Sequence, residues 1–345
     1  MSQEPVPTRL RNREAKDEKG GRMRVFVAGA TGTIGKRLVP QLTARGHQVT
    51  ATTRSARHRG RFEALGAEIA VVDGLDGAAI GEAVARAEPD AIVHQMTALA
   101  GKPDLKRFDR WFATTNELRT RGTEHLLAAV QATGVSKFVA QSYTGWPNAR
   151  SGGPVKTEDD ALDPEPARNQ RESLAAIHFL ERAVMDAPLE GIVLRYGSFY
   201  GPGASETTVD LIQKRKLPIV GSGAGVWSWT HLDDAAAATV AALERGRPGI
   251  YNIVDDDPAK VSDWLPYFAE VLGAKPPLRI PVWLARLFAG DVVVRSMTEM
   301  RGASNGKAKR DLGWAPIWPS WREGFRDGLT EGASSEQRLA PREAG

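Results

Sequence analysis

The sequence predicts an α/β protein with a doubly wound parallel sheet and a smaller C-terminal lobe. Two observations support this prediction. Short apolar segments that suit buried strands alternate with helical segments, and a glycine-rich turn separates the first strand from the first helix. The predicted strands are 23–29, 47–54, 67–74, 90–96, 137–143 and 190–201. Because βαβ units build parallel sheets that bind ligands at the carboxyl ends of the strands, we expect a ligand cleft at that edge.

Composition sets the predicted boundaries of the folded part. Residues 1–22 and 331–345 are polar and have no apolar period, which is typical of a disordered extension and a flexible tail. We expect residues 23–200 to form mainly the sheet core. Residues 201–330 are expected to form mainly a lobe that covers the crevice, with some segments returning to the core.

The overall composition argues against several classes of protein. The 345 residues include no cysteine, which excludes disulfides, thiolate metal sites and cysteine nucleophiles. No apolar run is long enough to span a bilayer and no signal-peptide core is present, so we expect a cytoplasmic protein without a membrane partner. The net charge of +4 lies largely in a tail and one short loop, which does not favour nucleic-acid binding.

The glycine-rich turn VFVAGATGTIG leads into a predicted helix at 34–46. Gly29 permits the tight turn, Gly32 lets the backbone approach a pyrophosphate, and Gly35 allows close packing of helix on strand. The free N–H groups and the dipole of the helix N-terminus favour a phosphate there. We therefore predict a Rossmann-type dinucleotide site. Further contacts in this turn are expected from Thr31, Thr33 and Ile34.

The end of the second predicted strand indicates which dinucleotide binds. An NAD enzyme usually has an acid there for the ribose 2′-OH, whereas this chain has Thr53 followed by an arginine-rich loop. Guanidinium groups suit a 2′-phosphate, so the sequence favours NADP(H) over NAD(H), with Arg54 as the first contact. A solvated basic loop is the alternative. Asp73 is placed to bind the adenine amino group or to cap its own loop. The other contacts predicted on this side are Ser55, Arg59 and Gly74.

Seven motifs follow one another along the chain. They are GATGTIG, VVDGLD, DAIVHQMTA, GTEHLLAAVQATGVSKFVAQS, LRYGSFYGPG, SWTHLDDAA and GIYNIVDDDP. In this order they resemble the short-chain dehydrogenase/reductase superfamily, in the extended and atypical branch with the NAD-dependent epimerase/dehydratase-like proteins. The resemblance runs from about Met23 to Phe325. It implies an oxidoreductase with a nicotinamide cofactor and a small-molecule substrate, and a homodimer by analogy.

The resemblance also implies a catalytic dyad that this chain lacks. Active members of the superfamily use Tyr-x-x-x-Lys on the helix after a strand-end Ser/Thr, and a glutamate often follows the lysine by four residues. Anchoring on Glu181 places the lysine position at Ile177 and the tyrosine position at Ser173. No tyrosine occurs between Tyr143 and Tyr196, so a small shift does not restore the motif.

Tyr143 is the leading candidate for a proton donor. Counted from the segment KFV, the strand-end Ser/Thr of the family falls on Tyr143, and Ser142 precedes it as the second catalytic candidate. A phenol with an ordinary pKa of about 10 donates a proton at neutral pH, but without a neighbouring cation it is a poor base. The alternative is that Tyr143 packs against the substrate or covers the nicotinamide ring.

The resemblance implies further contacts on both ligands. Those with the cofactor are Gln95, Met96, Tyr196, Ser198 and Phe199. Those with the substrate are Thr97, Trp146, Trp227 and His231, of which His231 has a structural role as its alternative. Tryptophans in crevice-facing segments favour a bulky, partly aromatic substrate, and packing in a core is the alternative. The acidic run at 255–258 indicates a turn, so no metal site is predicted.

Three functions are consistent with these residues. The first is an atypical NADPH-dependent reductase of an activated carbonyl, ketone-like or quinone-like, or of a conjugated C=C, acting without the dyad. The second is a nucleotide-sugar epimerase or dehydratase, which starts by oxidising an unactivated alcohol and needs a strong base. The third is a catalytically silent NADP(H)-binding regulatory protein.

Overall fold

The computed structural model describes residues 21–99, 101 and 103–330, so the predicted extension and tail lie almost wholly outside the described residues. Seven parallel strands form one sheet in the order β12-β7-β5-β4-β1-β2-β3. Their bounds are β1 Arg24–Ala28, β2 Gln48–Thr53, β3 Glu68–Val71, β4 Ala91–His94, β5 Lys137–Tyr143, β7 Glu190–Tyr196 and β12 Gly249–Ile253. The strand order reverses between β1 and β4, which confirms the doubly wound fold and places its ligand crevice there.

Thirteen α-helices of the described residues connect these strands or build the lobe. They are α1 Gly35–Ala44, α2 Arg59–Glu63, α3 Gly77–Ala87, α4 Phe108–Glu117, α5 Thr123–Thr133, α6 Arg171–Asp186, α7 Glu206–Gln213, α8 Leu232–Arg245, α9 Val261–Val271, α10 Val282–Ala289, α11 Asp291–Thr298, α12 Gly306–Leu312 and α13 Trp321–Asp327. A π-helical turn, Leu118–Gly122, joins α4 to α5. No helix in this part of the chain is long and apolar enough to cross a bilayer.

The strand β1 shows why its sequence suits the centre of the sheet. Successive side chains of a strand point to opposite faces, and both faces here are covered by helices. Val25 and Val27 pack into the core on the side of α1 and α8, whereas Phe26 packs on the side of α3, α5 and α6. The alanines of α8 are buried without large side chains, so α1 and α8 lie directly side by side.

The segment predicted as one strand over 190–201 is divided. The strand β7 ends at Tyr196, and β8 (Ser198–Tyr200) leaves the main sheet to pair with β11 (Trp229–His231). At Gly197, a Cβ would lie 2.5 Å from the Ser228 carbonyl oxygen, so glycine allows the chain to cross here. Conversely, α8 and β12 come after residue 201 and return to the core.

The remaining residues form an aromatic core of their own beside the sheet. Trp264, Trp318, Trp321, Phe268 and Phe325 are fully buried there. Short strand pairs frame this lobe, and their bounds are β6 Val155–Lys156, β9 Ile219–Val220, β10 Val226–Trp227, β13 Ala259–Lys260, β14 Arg279–Ile280 and β15 Gly302–Ala303.

Candidate active site

A cleft of about 470 Å³ opens at the carboxyl ends of β1, β2 and β4. It collects most of the predicted cofactor contacts and one predicted substrate contact. They are Gly29, Thr31, Gly32, Thr33, Ile34, Arg54, Asp73, Gly74, Gln95, Met96, Thr97 and Phe199. Lys36, Thr114, Leu118 and Gln141 also line the cleft, and the sequence analysis did not select them.

The glycine turn has the shape that a dinucleotide requires. Gly29 has φ +93°, and a Cβ on it would lie 2.6 Å from the backbone of Gln95. A Cβ on Gly35 would lie 2.5 Å from the carbonyl oxygen of Ala30, so the helix packs directly on the turn. The Gly29 N–H donates to Thr52 Oγ1 at 3.0 Å, and no side chain caps the N-terminus of α1. This cradle fits the phosphates of a nicotinamide dinucleotide.

The residues after β2 divide into those that reach the cleft and those that do not. Thr53 is buried, and its hydroxyl is bound to the backbone of Ser55 at 3.1 Å. Arg54 is exposed and lines the cleft. Arg59 instead pairs with Glu63 at 3.4 Å and lies outside the lining residues, as does Ser55, whose hydroxyl caps a short 3-10 turn.

Asp73 caps its own loop, which is one of the two roles predicted for it. Its carboxylate accepts the Leu75 N–H at 3.0 Å and so caps its own loop, while the residue also lines the cleft. One oxygen is engaged in the loop, and the adenine contact stays a prediction.

Gln95 presents an unsatisfied acceptor at the cleft. Its side-chain nitrogen donates to the Tyr196 hydroxyl at 3.3 Å, but its buried Oε1 has no partner among the described residues. Tyr196 itself is fully buried and is not among the residues that line the cleft, so its contact with the cofactor stays a prediction. Its hydroxyl lies 2.7 Å from Thr239 Oγ1, and burial raises its pKa to about 12. Tyr196 supports Gln95 from behind.

Tyr143 ends β5, and its hydroxyl lies 3.1 Å from Ser198 Oγ. Its ring packs with Trp146, at 6.4 Å between ring centroids, and against an apolar cluster that includes Ile177. Burial raises the pKa of Tyr143, and the bond to Ser198 and the charge of Arg119 lower it by less. The phenol therefore stays protonated at neutral pH, able to donate a proton but weak as a base.

Ser142 is not placed for chemistry, contrary to its prediction as a catalytic residue. Neighbouring residues of a strand face opposite sides, so Ser142 points away from the side that Tyr143 occupies. Its hydroxyl is buried and donates to Glu181 Oε1 at 2.7 Å. Glu181 in turn accepts two hydrogen bonds from Arg195, at 2.8 and 2.6 Å.

The two positions where the resemblance places the dyad serve packing instead. Ser173 donates to Asp109 Oδ1 at 2.6 Å and accepts from Asn116 at 3.0 Å, which ties α6 to α4. Ile177 is buried in an apolar cluster with Leu162, Leu174 and the Tyr143 ring. The Tyr143 ring thus packs against the cluster that contains the position of the absent lysine.

Two predicted substrate contacts, Trp227 and His231, pack in the lobe and are not among the residues that line the cleft, so their contact with the substrate stays a prediction. Trp227 packs on Trp264 at 5.1 Å, and its indole N–H donates to the Ser296 carbonyl at 2.9 Å. His231 is buried, accepts the Asp233 N–H at 3.2 Å and caps α8, which is the structural role named as its alternative. Its second ring nitrogen lies 3.1 Å from the Gly328 carbonyl oxygen. Ser296 and Gly328 are remote in sequence from Trp227 and His231, so these contacts cannot be deduced from the sequence.

Trp146 lies beside Tyr143 in an aromatic wall, which consists of Phe108, Phe112, Tyr143 and Trp146. Phe108 stacks on Phe112 at 4.4 Å and meets the edge of Trp146 at 5.2 Å. None of these four residues is among those that line the cleft, so the contact of Trp146 with an aromatic substrate stays a prediction. No group of three histidine or acidic residues among the described residues is arranged to hold a metal ion.

Two buried residues that the sequence did not indicate, Arg119 and His94, directly follow or precede Leu118 and Gln95, which line the cleft. The His94 ring accepts the Met96 N–H at 3.3 Å, and its other nitrogen lies 3.2 Å from the Leu118 carbonyl oxygen. Burial lowers the pKa of His94 to about 4, so the ring is neutral. Arg119 is buried on the π turn. No local signal in the sequence marks this position, because a charged residue in a helix usually indicates an exposed face.

Comparisons with known proteins agree with this architecture. The sequence model of the NAD dependent epimerase/dehydratase family matches residues 25–254. The chain is 44% identical over 314 residues to a 3-diazoavenalumate denitrifying reductase of a Streptomyces species, covering 88% of this chain and 99% of that protein. It is 27% identical to a 2-alkyl-3-oxoalkanoate reductase of Stenotrophomonas maltophilia, covering 88% and 98%.

Solved structures share the fold. A UDP-glucose 4-epimerase of Thermotoga maritima superposes with a TM-score of 0.67 at 21% identity, covering 88% of this chain and 96% of that chain. A human epimerase family protein solved with NADPH gives 0.66 at 21% identity, covering 88% and 98%.

Proposed function

Since the chain belongs to the NAD-dependent epimerase/dehydratase family and is a nicotinamide-dependent oxidoreductase, we propose that it transfers hydride from NADPH to an activated, bulky aromatic acceptor. One observation carries this proposal: Ser173 and Ile177 are committed to packing. Without a lysine to lower the pKa of a tyrosine, the site has no strong base. Oxidation of an unactivated alcohol, with which an epimerase begins, is therefore disfavoured.

The leading acceptor class is a diazo-substituted carboxylate, which the name of the 44% identical relative indicates for that protein. The bound nicotinamide supplies the hydride. In the diazonium form, the substrate carbon accepts this hydride while its bond to nitrogen breaks, and the bonding electron pair leaves with N₂. One NADPH is oxidised, one N₂ is released, and the protein supplies no proton. A site without the dyad suffices for this chemistry, because its tasks are to orient the substrate and to exclude water.

A second acceptor class is a conjugated or quinone-like ketone, favoured by the contact between Tyr143 and Ser198. Hydride would then add to the carbonyl carbon, and the oxygen would take its proton from Tyr143 Oη. The Ser198 hydroxyl, 3.1 Å away, would stabilise the tyrosinate that remains. Two more distant relatives carry names of ketone-reducing enzymes, at 27% and 26% identity.

The preference for NADPH rests on the cations at the adenosine end of the cleft. Arg54 and Lys36 both line it, and Thr53 stands where an acid would repel a 2′-phosphate. The guanidinium of Arg54 and the ammonium of Lys36 favour the negative charge that the 2′-phosphate adds to the dinucleotide.

The test measures NADPH oxidation with an aromatic diazo acid and with a panel of aromatic ketones and quinones. For the diazo acid we expect one N₂ for each NADPH, and deuterium from 4-²H-NADPH on the carbon that carried nitrogen. If the protein binds NADPH but reduces none of these acceptors, the proposal is refuted in favour of a regulatory NADP(H)-binding protein. Interconversion of a nucleotide sugar without net NADPH oxidation would refute it in favour of an epimerase.

Tyr143→Phe separates the two acceptor classes. Diazo reduction should be unchanged, because it needs no proton, whereas ketone reduction should fall by about 10²–10⁴-fold. Tyr251→Phe is the matched control, since Tyr251 lies on β12, donates its hydroxyl to the Arg247 carbonyl and does not line the cleft. Equal loss of both reactions in Tyr143→Phe would contradict the assignment of Tyr143 as a proton donor only.

A further inference from the structure

Arg119 lies at an unusual point of the backbone. The segment Leu118–Gly122 is a π-helical turn between α4 and α5, and such turns are frequent at functional sites. The turn is held from two sides: His94 faces the Leu118 carbonyl oxygen, and the Thr123 hydroxyl donates to the Arg119 carbonyl at 2.7 Å. These bonds fix the direction in which the Arg119 side chain leaves the helix.

The Arg119 side chain is buried without the partners that a buried cation needs. The residue is only 7% exposed, and Nη1 has no hydrogen-bond partner among the described residues. Its guanidinium carbon lies 5.6 Å from the centre of the Phe112 ring, at one end of the aromatic wall. Burial lowers the pKa of Arg119 to about 10, so the group remains charged at neutral pH. An unpaired buried charge costs free energy, which implies that an anion completes the site.

The protein's own carboxylate does not complete it. Glu181 is the acid whose charge acts on Arg119, but both of its oxygens are bound by Arg195 and one also by Ser142. Two guanidinium groups therefore share one carboxylate, and one positive charge is left over. The neutral His94 ring adds no counter-charge.

The cofactor's phosphates do not account for this charge either, because the glycine turn that fits them lies after β1, whereas the charge of Arg119 acts on Tyr143 at the end of β5. Thr114 and Leu118, on the same stretch of helix, line the cleft. The missing anion is thus on the substrate side.

We propose that Arg119 binds the anionic group of the substrate and that the site selects planar aromatic carboxylates. The guanidinium binds the carboxylate, and the aromatic wall binds the ring. This inference rests on the proposed function, since it names the substrate class of the same site. Arg119 acts in binding and takes no part in the transfer of hydride.

The test compares cinnamate with cinnamide, its neutral analogue, in calorimetric titrations of the full-length protein with NADP⁺ bound. We expect the wild type to bind cinnamate about tenfold or more tightly than cinnamide. Arg119→Met should bind both alike, at the level of cinnamide, whereas Arg119→Lys should retain part of the preference. Arg121→Met is the control, because Arg121 is exposed on the same turn, and it should retain the full preference.

A thermal melt of the ligand-free variants separates binding from a merely structural role. Arg119→Met should melt at the same temperature as the wild type or higher, because it removes an unpaired buried charge and keeps most of the volume. A lower melting temperature together with an undiminished preference for cinnamate would overturn the proposal, and so would equal binding of cinnamate and cinnamide by the wild type. Neither titration requires turnover. Acid preference without reduction of any acceptor would refute the proposed function alone, and reduction without acid preference would refute this inference alone.

Discussion

Glu181 holds Arg195 in a buried, two-pronged ion pair, with hydrogen bonds of 2.8 and 2.6 Å between α6 and β7. Ser142 completes the group by donating to the same carboxylate. The pair therefore fixes the helix that would otherwise supply a proton donor, and it uses the serine that sequence reasoning placed in catalysis. Its role is structural, and this can be measured.

Ser142→Ala should lower the free energy of unfolding by about 1.5–3 kcal/mol, because one hydrogen bond to a carboxylate is lost, and turnover should not change. Glu181→Ala should cost about 3–5 kcal/mol, since it leaves Arg195 buried without its partner. Urea unfolding and NADPH oxidation, measured on the same preparations, check both. A Ser142→Ala protein that unfolds like the wild type but has lost turnover would restore Ser142 to the catalytic site.

Arg54→Ala should raise the KM for NADPH by about tenfold or more and leave that for NADH nearly unchanged. The reason is that a charge-assisted contact with a phosphate is worth about 1.5–3 kcal/mol. Arg59→Ala is the matched control on the same loop, because Arg59 pairs with Glu63 and does not line the cleft. If Arg59→Ala raised the KM for NADPH more than Arg54→Ala did, the phosphate contact would have to be assigned to Arg59.

Gly35→Ala should weaken dinucleotide binding by about 5- to 150-fold. The added Cβ would lie 2.5 Å from the Ala30 carbonyl oxygen, so the turn has to open, at a cost of about 1–3 kcal/mol. Gly81→Ala, inside α3, has nothing within 4 Å of its Cβ and should instead stabilise the protein by about 1 kcal/mol. Thermal melts and fluorescence titration with NADPH distinguish the two. Tight NADPH binding by Gly35→Ala would contradict the phosphate cradle.

Asp234 predicts a dependence of stability on pH. Its carboxylate accepts the N–H groups of Ile317 and Trp318, and burial raises its pKa to about 7. An unfolded aspartate has lost its proton above about pH 4, so between pH ~4 and ~7 the folded protein binds more protons than the unfolded chain. Stability contributed here is present at low pH and is lost as pH rises through 7.

Asp234→Asn should therefore flatten the fall in the free energy of unfolding across this pH range. Burial also raises the pKa of Asp255, so part of the fall in the free energy of unfolding should remain in this variant. His94 acts in the opposite direction: its pKa of about 4 lies below that of an unfolded histidine, so its contribution is lost as pH decreases. Denaturant unfolding at several pH values checks the slope. A steeper fall in Asp234→Asn would show that this carboxyl does not hold the proton.

The sheet and its phosphate turn could be predicted because they depend on local patterns. Buried strands such as β1 and glycines such as Gly29 carry their reasons within a few residues. Side-chain direction could be inferred only in part. Ser142 and Tyr143 are neighbours on one strand, so alternation alone allows just one of them to face a given side. That argument was available from the sequence.

Other features depend on contacts between remote parts of the chain. Trp227 is bound by Ser296, and His231 faces Gly328, so neither role can be deduced from the surrounding residues. Arg119 is the converse case, since a charged residue in a helix usually indicates an exposed face. Only the assembled fold places it beside Phe112, with Nη1 buried and unpartnered.

The packing at Ser173 and Ile177 constrains how a lineage with this chain could acquire alcohol chemistry. Tyrosine at 173 alone would remove the hydroxyl that binds Asp109 and Asn116 and would force α4 away from α6. Lysine at 177 alone would put a cation into an apolar cluster against Tyr143. Each substitution is harmful without the other. Selection that acts on single mutations therefore does not reach the double substitution from the present sequence.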